Sequence, residues 1–255
     1  MTMPAPPHDD FLGLPFCLLS RQHVAQLIIA QCRTPYRYVV TPNAYHVVAV
    51  HERPEQLRPI YRGAWLSLCD SRVVRSLAAL TGRRLPLATG SDLVTILLTR
   101  LAELPAGARK RILIVGPEHA AELALRARFR DLDLTVMPAP RGLARRADLR
   151  LAVAHACVER SWDILLLCVG CPAQELIAQL IAVLGRRSGV ALCVGAAIDF
   201  LTGQATRAPL WLRWLGLEWA YRLALEPRRL WRRYLVASPK IFRIFLMTTL
   251  RRQFD

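Results

Sequence analysis

The chain has 255 residues, 53% of them hydrophobic, and its 35 basic and 19 acidic side chains give a formal net charge of +16. This length and apolar content exclude a disordered chain and are enough for one large packed domain with an appendage. All but two of the basic residues are Arg, whose planar guanidinium suits phosphate groups, although a codon bias toward Arg would have the same effect.

The N-terminus gives no sign of export. It carries Asp9 and Asp10 and has no basic segment before an apolar run, so we expect no secretory signal and a cytoplasmic location. The longest uncharged apolar run, Gly189 to Ile198, is far shorter than the roughly 18 to 20 residues that span a bilayer. Any membrane contact is therefore expected to be peripheral. The seven cysteines are irregularly spaced and do not indicate a disulfide framework.

Short aliphatic runs alternate with longer helix-like segments as far as Gly203. This pattern is typical of repeated βαβ units, so the predicted fold class is α/β, a Rossmann-like α/β/α sandwich on a mainly parallel sheet. The predicted strands are 38–40, 64–68, 112–115, 134–137, 164–169 and 190–194. In open parallel sheets, ligands bind outside the carboxyl ends of the strands, so the loops that follow these strands form the predicted active-site edge.

The composition changes after Gly203. Four tryptophans occur between Trp211 and Trp231, strand patterns end, and residues 204–255 contain 11 basic and 3 acidic residues, a local net charge of +8. We therefore predict two parts, an α/β core over residues 1–203 and a basic, aromatic-rich helical appendage over residues 204–255.

Two motifs could suggest metal or redox chemistry, but we interpret both as structural features without a functional role. Cys168 and Cys171 form a CxxC, but no second pair stands at metal-binding spacing, so buried cysteines at a strand end explain it. The DLD at Asp131 to Asp133 precedes a predicted strand and faces the wrong edge, so we expect a solvated turn. HExxH, GxSxG, GxGxxG and Walker A patterns are absent from the sequence. We predict no metal site and no cofactor.

A set of polar residues falls on the predicted active-site loops. Its members are Thr41, Asn43, Asp70, Gln174, Glu175 and Asp199. Asn43 could instead cap a helix, and Glu175 could occupy the first turn of one. Asp70 follows a strand directly and is placed to act as a general base, and helix N-termini at this edge would favour a diphosphate.

Five sequence segments resemble one known family, the WecG/TagA/CpsF glycosyltransferases (glycosyltransferase family 26). The segments are TPNAYHVV, LCDS, LPLATGSDLV, VGCPAQE and the long VGAAIDFLTGQATRAPLWLRWLGLEWAYRLALEPRRLWRRY. The resemblance implies an inverting, metal-independent enzyme. Such an enzyme moves a sugar from a UDP-sugar to a polyprenyl-diphosphate-linked saccharide on the cytoplasmic membrane face, in the synthesis of an exopolysaccharide, a capsule or a cell-wall polymer.

The resemblance also implies roles for individual residues. Asp70 matches the catalytic base, and Thr41 is assigned to the catalytic site with it. The residues assigned to donor binding are Asn43, Thr89, Gly90, Asp92, Gly116, Gly170, Pro172, Gln174, Glu175 and Asp199. The residues assigned to the acceptor diphosphate or the membrane are Arg207, Arg222, Arg228, Arg229, Arg232 and Arg233.

The chain departs from the family pattern in two places. The family usually has Gly where this chain has Ser71, and a Ser side chain is expected to alter a turn or narrow the pocket. Family members also commonly carry an Arg shortly before the residue that corresponds to Thr89. This chain lacks it, which leaves two alternatives: either Arg83 or Arg84 supplies the missing positive charge, or donor specificity or activity differs from the family.

The basic tail allows more than one interpretation. At about 100° per residue, a helix over Arg228 to Leu235 places Arg228, Arg229, Arg232 and Arg233 on one face and Leu230, Trp231, Tyr234 and Leu235 on the other. This pattern favours a helix lying in a membrane interface. A merely solvated basic face, a non-catalytic lipid-binding scaffold and nucleic-acid binding are the alternatives, and for the last of these no recognised motif is present. A homo-oligomer is left open.

Overall fold

In the computed structural model, the described residues are 6–209, 211–212 and 216–254, without the side chains of residues 229 and 251–254. The strands are β1 (His8–Phe11), β2 (Leu14–Cys17), β3 (Arg37–Val40), β4 (Leu66–Ser67), β5 (Arg111–Val115), β6 (Asp133–Met137), β7 (Ile164–Leu167) and β8 (Val190–Cys193). The helices of the core are α1 (Arg21–Gln31), α2 (Ala44–Glu52), α3 (Pro54–Gly63), α4 (Arg72–Ala79), α5 (Gly90–Ala102), α6 (His119–Arg128), α7 (Ala147–Glu159), α8 (Ala173–Val183) and α9 (Ala197–Leu201).

Six strands form one parallel sheet in the order β4-β3-β8-β7-β5-β6. Helices cover both faces, so the predicted α/β sandwich is confirmed, and all six predicted strands are present. The alternation along β5 explains this architecture. Leu113 and Val115 pack into the hydrophobic cluster on one face, whereas Ile112 and Ile114 pack into the cluster on the other. A strand that is buried on both faces needs a continuous aliphatic run.

A hairpin of β1 and β2 precedes the sheet and was not predicted. Its two-residue turn uses Leu12 and Gly13 at φ values of +50° and +76°. Positive φ at both positions matches the right-handed twist of a hairpin, but Leu rarely adopts it. Leu12 is almost fully buried, and its carbonyl oxygen lies 2.9 Å from Nε2 of His51. Tertiary packing, rather than local propensity, therefore fixes this turn.

The helices after Gly203 pack on the core. They are α10 (Glu218–Leu225), α11 (Pro227–Trp231), a π-helical segment (Arg232–Ala237) and α12 (Lys240–Phe254). Leu230 and Ile241 are buried, and Lys240 forms an ion pair with Glu52. The ring of Phe245 lies 6.3 Å from that of Phe11 in the hairpin. The division of the chain at residue 203 stays a prediction.

The predicted faces of the basic tail hold for Arg228, Leu230 and Arg232 but not for Arg233. Hydrogen bonds five residues apart, such as Ser238 N–H to the Arg233 carbonyl at 2.8 Å, shift the periodicity away from that of an α-helix. The guanidinium of Arg233 therefore turns inward, 4.7 Å from the ring of Tyr45, instead of outward. Trp231 and Leu235 are exposed, as Arg228 and Arg232 are. The side chain of Arg229 lies outside the described part of the structure.

Among the described residues, no helix combines the length and the apolar character that crossing a bilayer requires.

Candidate active site

Two neighbouring cavities open where the parallel strands end. The large cavity has a volume of 840 Å³ and is lined by the loops after β3, β5, β7 and β8 together with parts of α10 and the π-helical segment. The small cavity has a volume of 360 Å³ and lies between the start of α4 and the helices after Gly203. The residues that line both cavities are Asn43, Asp70, Glu218, Arg222 and Tyr234.

Most of the predicted site residues come together at the large cavity. Those that line it are Thr41, Asn43, Asp70, Thr89, Gly116, Gly170, Gln174, Asp199, Arg222 and Arg233. The others lie behind its wall or away from it: Gly90, Asp92, Pro172, Glu175, Arg207, Arg228 and Arg232 line neither cavity. The roles assigned to all of these residues stay predictions.

Thr41 and Asn43 are fixed by the backbone around them. The buried hydroxyl of Thr41 donates to the Cys193 carbonyl at the end of β8, at 2.8 Å, so its remaining capacity toward a ligand is that of an acceptor. Asn43 is the N-cap of α2, where its side-chain oxygen accepts the Tyr45 N–H at 3.1 Å. The cap uses the oxygen of the amide, and the NH₂ group of Asn43 remains a donor for the cavities.

Gln174 ties two of the loops together. Its side-chain oxygen accepts the Gly195 N–H at 2.9 Å, and its NH₂ group donates to Oε1 of Glu175 at 2.9 Å. Gln174 and Glu175 are both almost fully buried, and burial raises the pKa of Glu175 above its usual value. These contacts hold the loop after β7 against the loop after β8.

Glu175 belongs to a group that could be taken for a metal centre. The ligand atoms of His46, Cys171 and Glu175 lie within 4.8 Å of one another. However, Nδ1 of His46 accepts the backbone N–H of Asn43 at 2.9 Å, which leaves Nε2 of the neutral ring protonated. Burial lowers the pKa of His46 to about 3, so the ring is neutral. A protonated Nε2 has no lone pair for a metal ion, and we interpret the group as a hydrogen-bonded cluster.

Asp70 occupies the boundary between the two cavities. The loop that carries it is anchored by its backbone N–H, which donates to the Pro42 carbonyl at 3.0 Å. Burial raises the pKa of Asp70 to about 7, while the guanidinium of Arg222 opposes this shift and the carboxylate of Glu218 adds to it. A carboxylate with a pKa near neutrality is a stronger base than an ordinary Asp and still ionises at physiological pH.

The two departures from the family pattern have different outcomes. Ser71 is the N-cap of α4, and its hydroxyl accepts the Val74 N–H at 3.2 Å, so it replaces the glycine by a capping residue. Neither Arg83 nor Arg84 lines a cavity, so the structure does not support a replacement of the missing Arg by either of them. Arg83 instead pairs with Asp9 at 3.2 Å.

Asp92 and Arg207, which were assigned to different substrates, contact each other. Nη2 of Arg207 donates to Asp92 at 2.7 Å and to the Ser91 hydroxyl at 2.8 Å. Arg21 pairs with the other oxygen of Asp92 at 2.9 Å. The network ties the segment after α9 to the start of α5, beside the cavity wall.

The two rejected motifs have different outcomes. Cys168 and Cys171 are half-buried rather than fully buried, and both line the large cavity. Burial raises the pKa of the Cys168 and Cys171 thiols, so neither is an activated thiolate. Asp131 is exposed and pairs with Arg109 at 3.2 Å, at the amino end of the strands and away from both cavities.

Sequence reasoning missed Glu218 and Tyr234 as residues of the site. Both line the two cavities and both stand in the long C-terminal segment that resembles the family. Within that segment, only the arginines were predicted to bind a substrate or the membrane, and Glu218 and Tyr234 were not assigned to the site.

Comparison with known proteins identifies the family of the chain. A segment of 86 residues, 34% of the chain, is 35% identical to the N-acetylglucosaminyldiphosphoundecaprenol N-acetyl-beta-D-mannosaminyltransferase of Bacillus subtilis (strain 168). That segment spans about a third of the relative's length. Residues 10–255 match the sequence model of the Glycosyl transferase WecG/TagA/CpsF family. Because this match covers nearly the whole chain, the protein belongs to the WecG/TagA/CpsF family of glycosyl transferases.

Proposed function

We propose that the protein is an inverting, metal-independent glycosyltransferase that moves a sugar from a UDP-sugar to a polyprenyl-diphosphate-linked saccharide. This proposal depends mainly on Asp70. Its carboxylate lies at the boundary of two cavities, and burial raises its pKa to about 7. In a transfer reaction, the base that activates the acceptor must lie where the acceptor meets the donor, and Asp70 has this position between the two cavities. The name of the Bacillus subtilis relative supports a polyprenyl-diphosphate acceptor and makes N-acetylmannosamine the first sugar to test.

The donor fits the large cavity. The N-terminus of α8 and the guanidinium groups of Arg222 and Arg233 are at its walls and can stabilise a diphosphate. The acceptor fits the small cavity, whose lining includes Trp219, Leu235 and Phe242. Aromatic and aliphatic side chains suit a sugar face and the first part of a polyprenyl chain.

The reaction we propose is a single displacement. The acceptor oxygen loses its proton to Asp70 and forms a bond to the anomeric carbon of the donor. The bond from that carbon to the diphosphate oxygen breaks on the opposite face, and UDP leaves with the electron pair. The configuration is therefore inverted. The guanidinium groups stabilise the negative charge that develops on the departing diphosphate, so the mechanism does not require a metal ion.

Purified protein tests this function directly. Incubation with a series of UDP-sugars and polyprenyl-diphosphate-linked N-acetylglucosamine is expected to release UDP and to yield a lipid-linked disaccharide. The anomeric configuration of the product, measured by NMR, is expected to be opposite to that of the donor. A chelator should leave the rate unchanged. Retention of configuration would contradict the mechanism. So would a loss of transfer in the presence of the chelator, if added Mg²⁺ restored the activity.

The pH dependence of transfer follows from the pKa of Asp70. Asp70 accepts a proton only in its ionised form, and burial raises its pKa to about 7. We expect kcat/KM to fall about tenfold for each pH unit below this value and to be level above it. Initial rates between pH 5 and pH 9 provide the measurement. A rate that stays constant down to pH 5 would exclude Asp70 as the base.

We also propose that the helices after Gly203 hold the protein on the cytoplasmic face of the membrane. Exposed apolar side chains support this, because they lie beside exposed basic ones. The exposed apolar residues are Trp231, Leu235, Val236, Phe242, Leu246, Met247 and Leu250. Arg228 and Arg232 are exposed beside Trp231 and can contact anionic headgroups. Peripheral binding of this kind brings the cavities to a lipid-linked acceptor.

Vesicle binding measures this association. Replacing both Arg228 and Arg232 by Ala is expected to weaken binding to phosphatidylglycerol vesicles by about 2 kcal/mol in total, or roughly 30-fold, because each Arg near an anionic surface contributes about 1 kcal/mol. Arg109→Ala is the matched control, since Arg109 stands at the amino end of the strands. Equal loss in both variants would contradict the assigned face. Strong DNA binding without vesicle binding would instead favour the nucleic-acid alternative.

A further inference from the structure

Glu218 places a second carboxylate beside Asp70. Glu218 and Arg222 are on successive turns of α10, and both line the large and the small cavity together with Asp70. Nη2 of Arg222 donates to Oε1 of Glu218 at 3.0 Å. The guanidinium of Arg222 also lies 4.4 Å from the ring centre of Phe200. The carboxylate and the ring therefore hold this guanidinium in a defined place.

An unpaired N–H of Arg222 indicates what this arrangement is for. Its Nε is buried and has no hydrogen-bond partner among the described residues. Glu218 occupies Nη2, so another edge of the planar guanidinium is left for an oxygen of a ligand. A buried N–H without a partner costs free energy, so a hydrogen bond from it to a phosphate oxygen of a bound substrate would be favourable.

Several charged groups act on Asp70 or line the cavities with it. From α10 these are Arg222 and Glu218, and from α5 they are the backbone N–H of Gly90 and the carboxylate of Asp92. Asp92 is neutralised by its pairs with Arg21 and Arg207. The other charged residues that line the cavities are Arg72, Glu118, Asp199, Glu226 and Arg233. Helix α10 thus contributes the positive and the negative side chain with the largest effects on the pKa of Asp70.

We propose that Glu218 is a positioning residue for the transfer reaction, which holds the guanidinium of Arg222 at the boundary between the cavities and balances its charge against Asp70. This inference rests on the proposed function. Without Glu218, Arg222 would act on Asp70 as an unopposed cation and stabilise the ionised carboxylate. Asp70 would then be a weaker base toward the acceptor hydroxyl.

The sign of the effect distinguishes the two partners. Glu218→Gln removes a negative charge and is expected to move the acidic limb of the kcat/KM profile to lower pH. Arg222→Gln removes a positive charge and is expected to move it to higher pH. Each shift should be about half a pH unit to one unit, since both side chains are about one third exposed and water screens them. The double variant should return the limb close to that of the wild type.

Two controls separate this role from a structural one. Glu218→Asp keeps the charge and is expected to leave the limb in place. Glu122→Gln breaks a Glu–Arg pair of the same i,i+4 spacing on α6, where Glu122 and Arg126 lie 2.9 Å apart and line neither cavity. It is expected to leave the profile unchanged. An unshifted limb in Glu218→Gln, or a shift in the same direction as that of Arg222→Gln, would overturn the inference.

A titration without substrates keeps the inference separate from the proposed function. The carboxyl ¹³C shift of Asp70, assigned through its loss in Asp70→Asn, reports the protonation of this residue in each variant. If the wild-type chain transfers no sugar, the proposed function is wrong, whereas opposite shifts in Glu218→Gln and Arg222→Gln would still support the coupling. Identical titrations in the wild type and both variants would refute it.

Discussion

Asp70→Asn is expected to lower the rate of sugar transfer by about 10²- to 10⁴-fold, the range that a general base contributes. An amide of nearly the same shape cannot take the acceptor proton, but it keeps the cavity walls in place. Binding of UDP, measured by calorimetry, should therefore change little. Turnover near that of the wild type would refute the assignment of Asp70 as the base.

The stability of this variant separates catalysis from folding. Because the pKa of Asp70 is raised to about 7 in the folded protein, the residue favours folding below its unfolded pKa of about 4, and this contribution is lost as the pH rises through 7. Asn does not ionise, so Asp70→Asn should be at least as stable as the wild type at pH 8. Urea unfolding gives the measurement. Asp131→Asn, at an exposed site away from both cavities, is the matched control and should retain full activity.

Gly116→Ala is expected to destabilise the protein by about 3 kcal/mol and to weaken UDP binding. Gly116 has a φ of +123°, which L side chains rarely adopt, and a Cβ there would lie 2.7 Å from the carbonyl oxygen of Cys168. The strained backbone and the forced separation of the ends of β5 and β7 contribute about 1 to 2 kcal/mol each. Because Gly116 lines the large cavity, the substitution would also change the shape of that cavity and so weaken UDP binding.

Gly82→Ala separates these two costs. Gly82 also has a positive φ, +76°, but no atom lies within 4 Å of the position of its Cβ. Its substitution should cost about 1 kcal/mol from the backbone alone and leave UDP binding unchanged. Urea unfolding of both variants provides the comparison. Equal losses of stability would show that the contact with Cys168 is unimportant.

The sheet and much of the site edge could be predicted from the sequence because they depend on local patterns. Fully buried parallel strands require aliphatic runs such as Ile164 to Leu167, and these runs are visible in the sequence. Polar residues directly after such runs must lie at the carboxyl edge of the sheet. Thr41, Asn43 and Gln174 line the large cavity for this reason.

Other features depend on packing between distant parts of the chain and could not be predicted in this way. The hairpin turn at Leu12 contradicts the preference of its own residue and is held by burial against the core. The inward turn of Arg233 follows from the π-helical segment, whose hydrogen bonds do not follow the periodicity that the pattern of charges suggested.

The sequence by itself determined the α/β class, the six strands of the sheet, and, through its resemblance, the family. Only the tertiary structure decided which distant charges meet: Asp92 pairs with Arg207, Lys240 pairs with Glu52, and α10 brings Glu218 and Arg222 to the cavities that Asp70 lines. The physical reason is that strand patterns arise from burial along a few neighbouring residues, whereas an ion pair depends on how separate helices pack. The pKa of Asp70 is set by that packing.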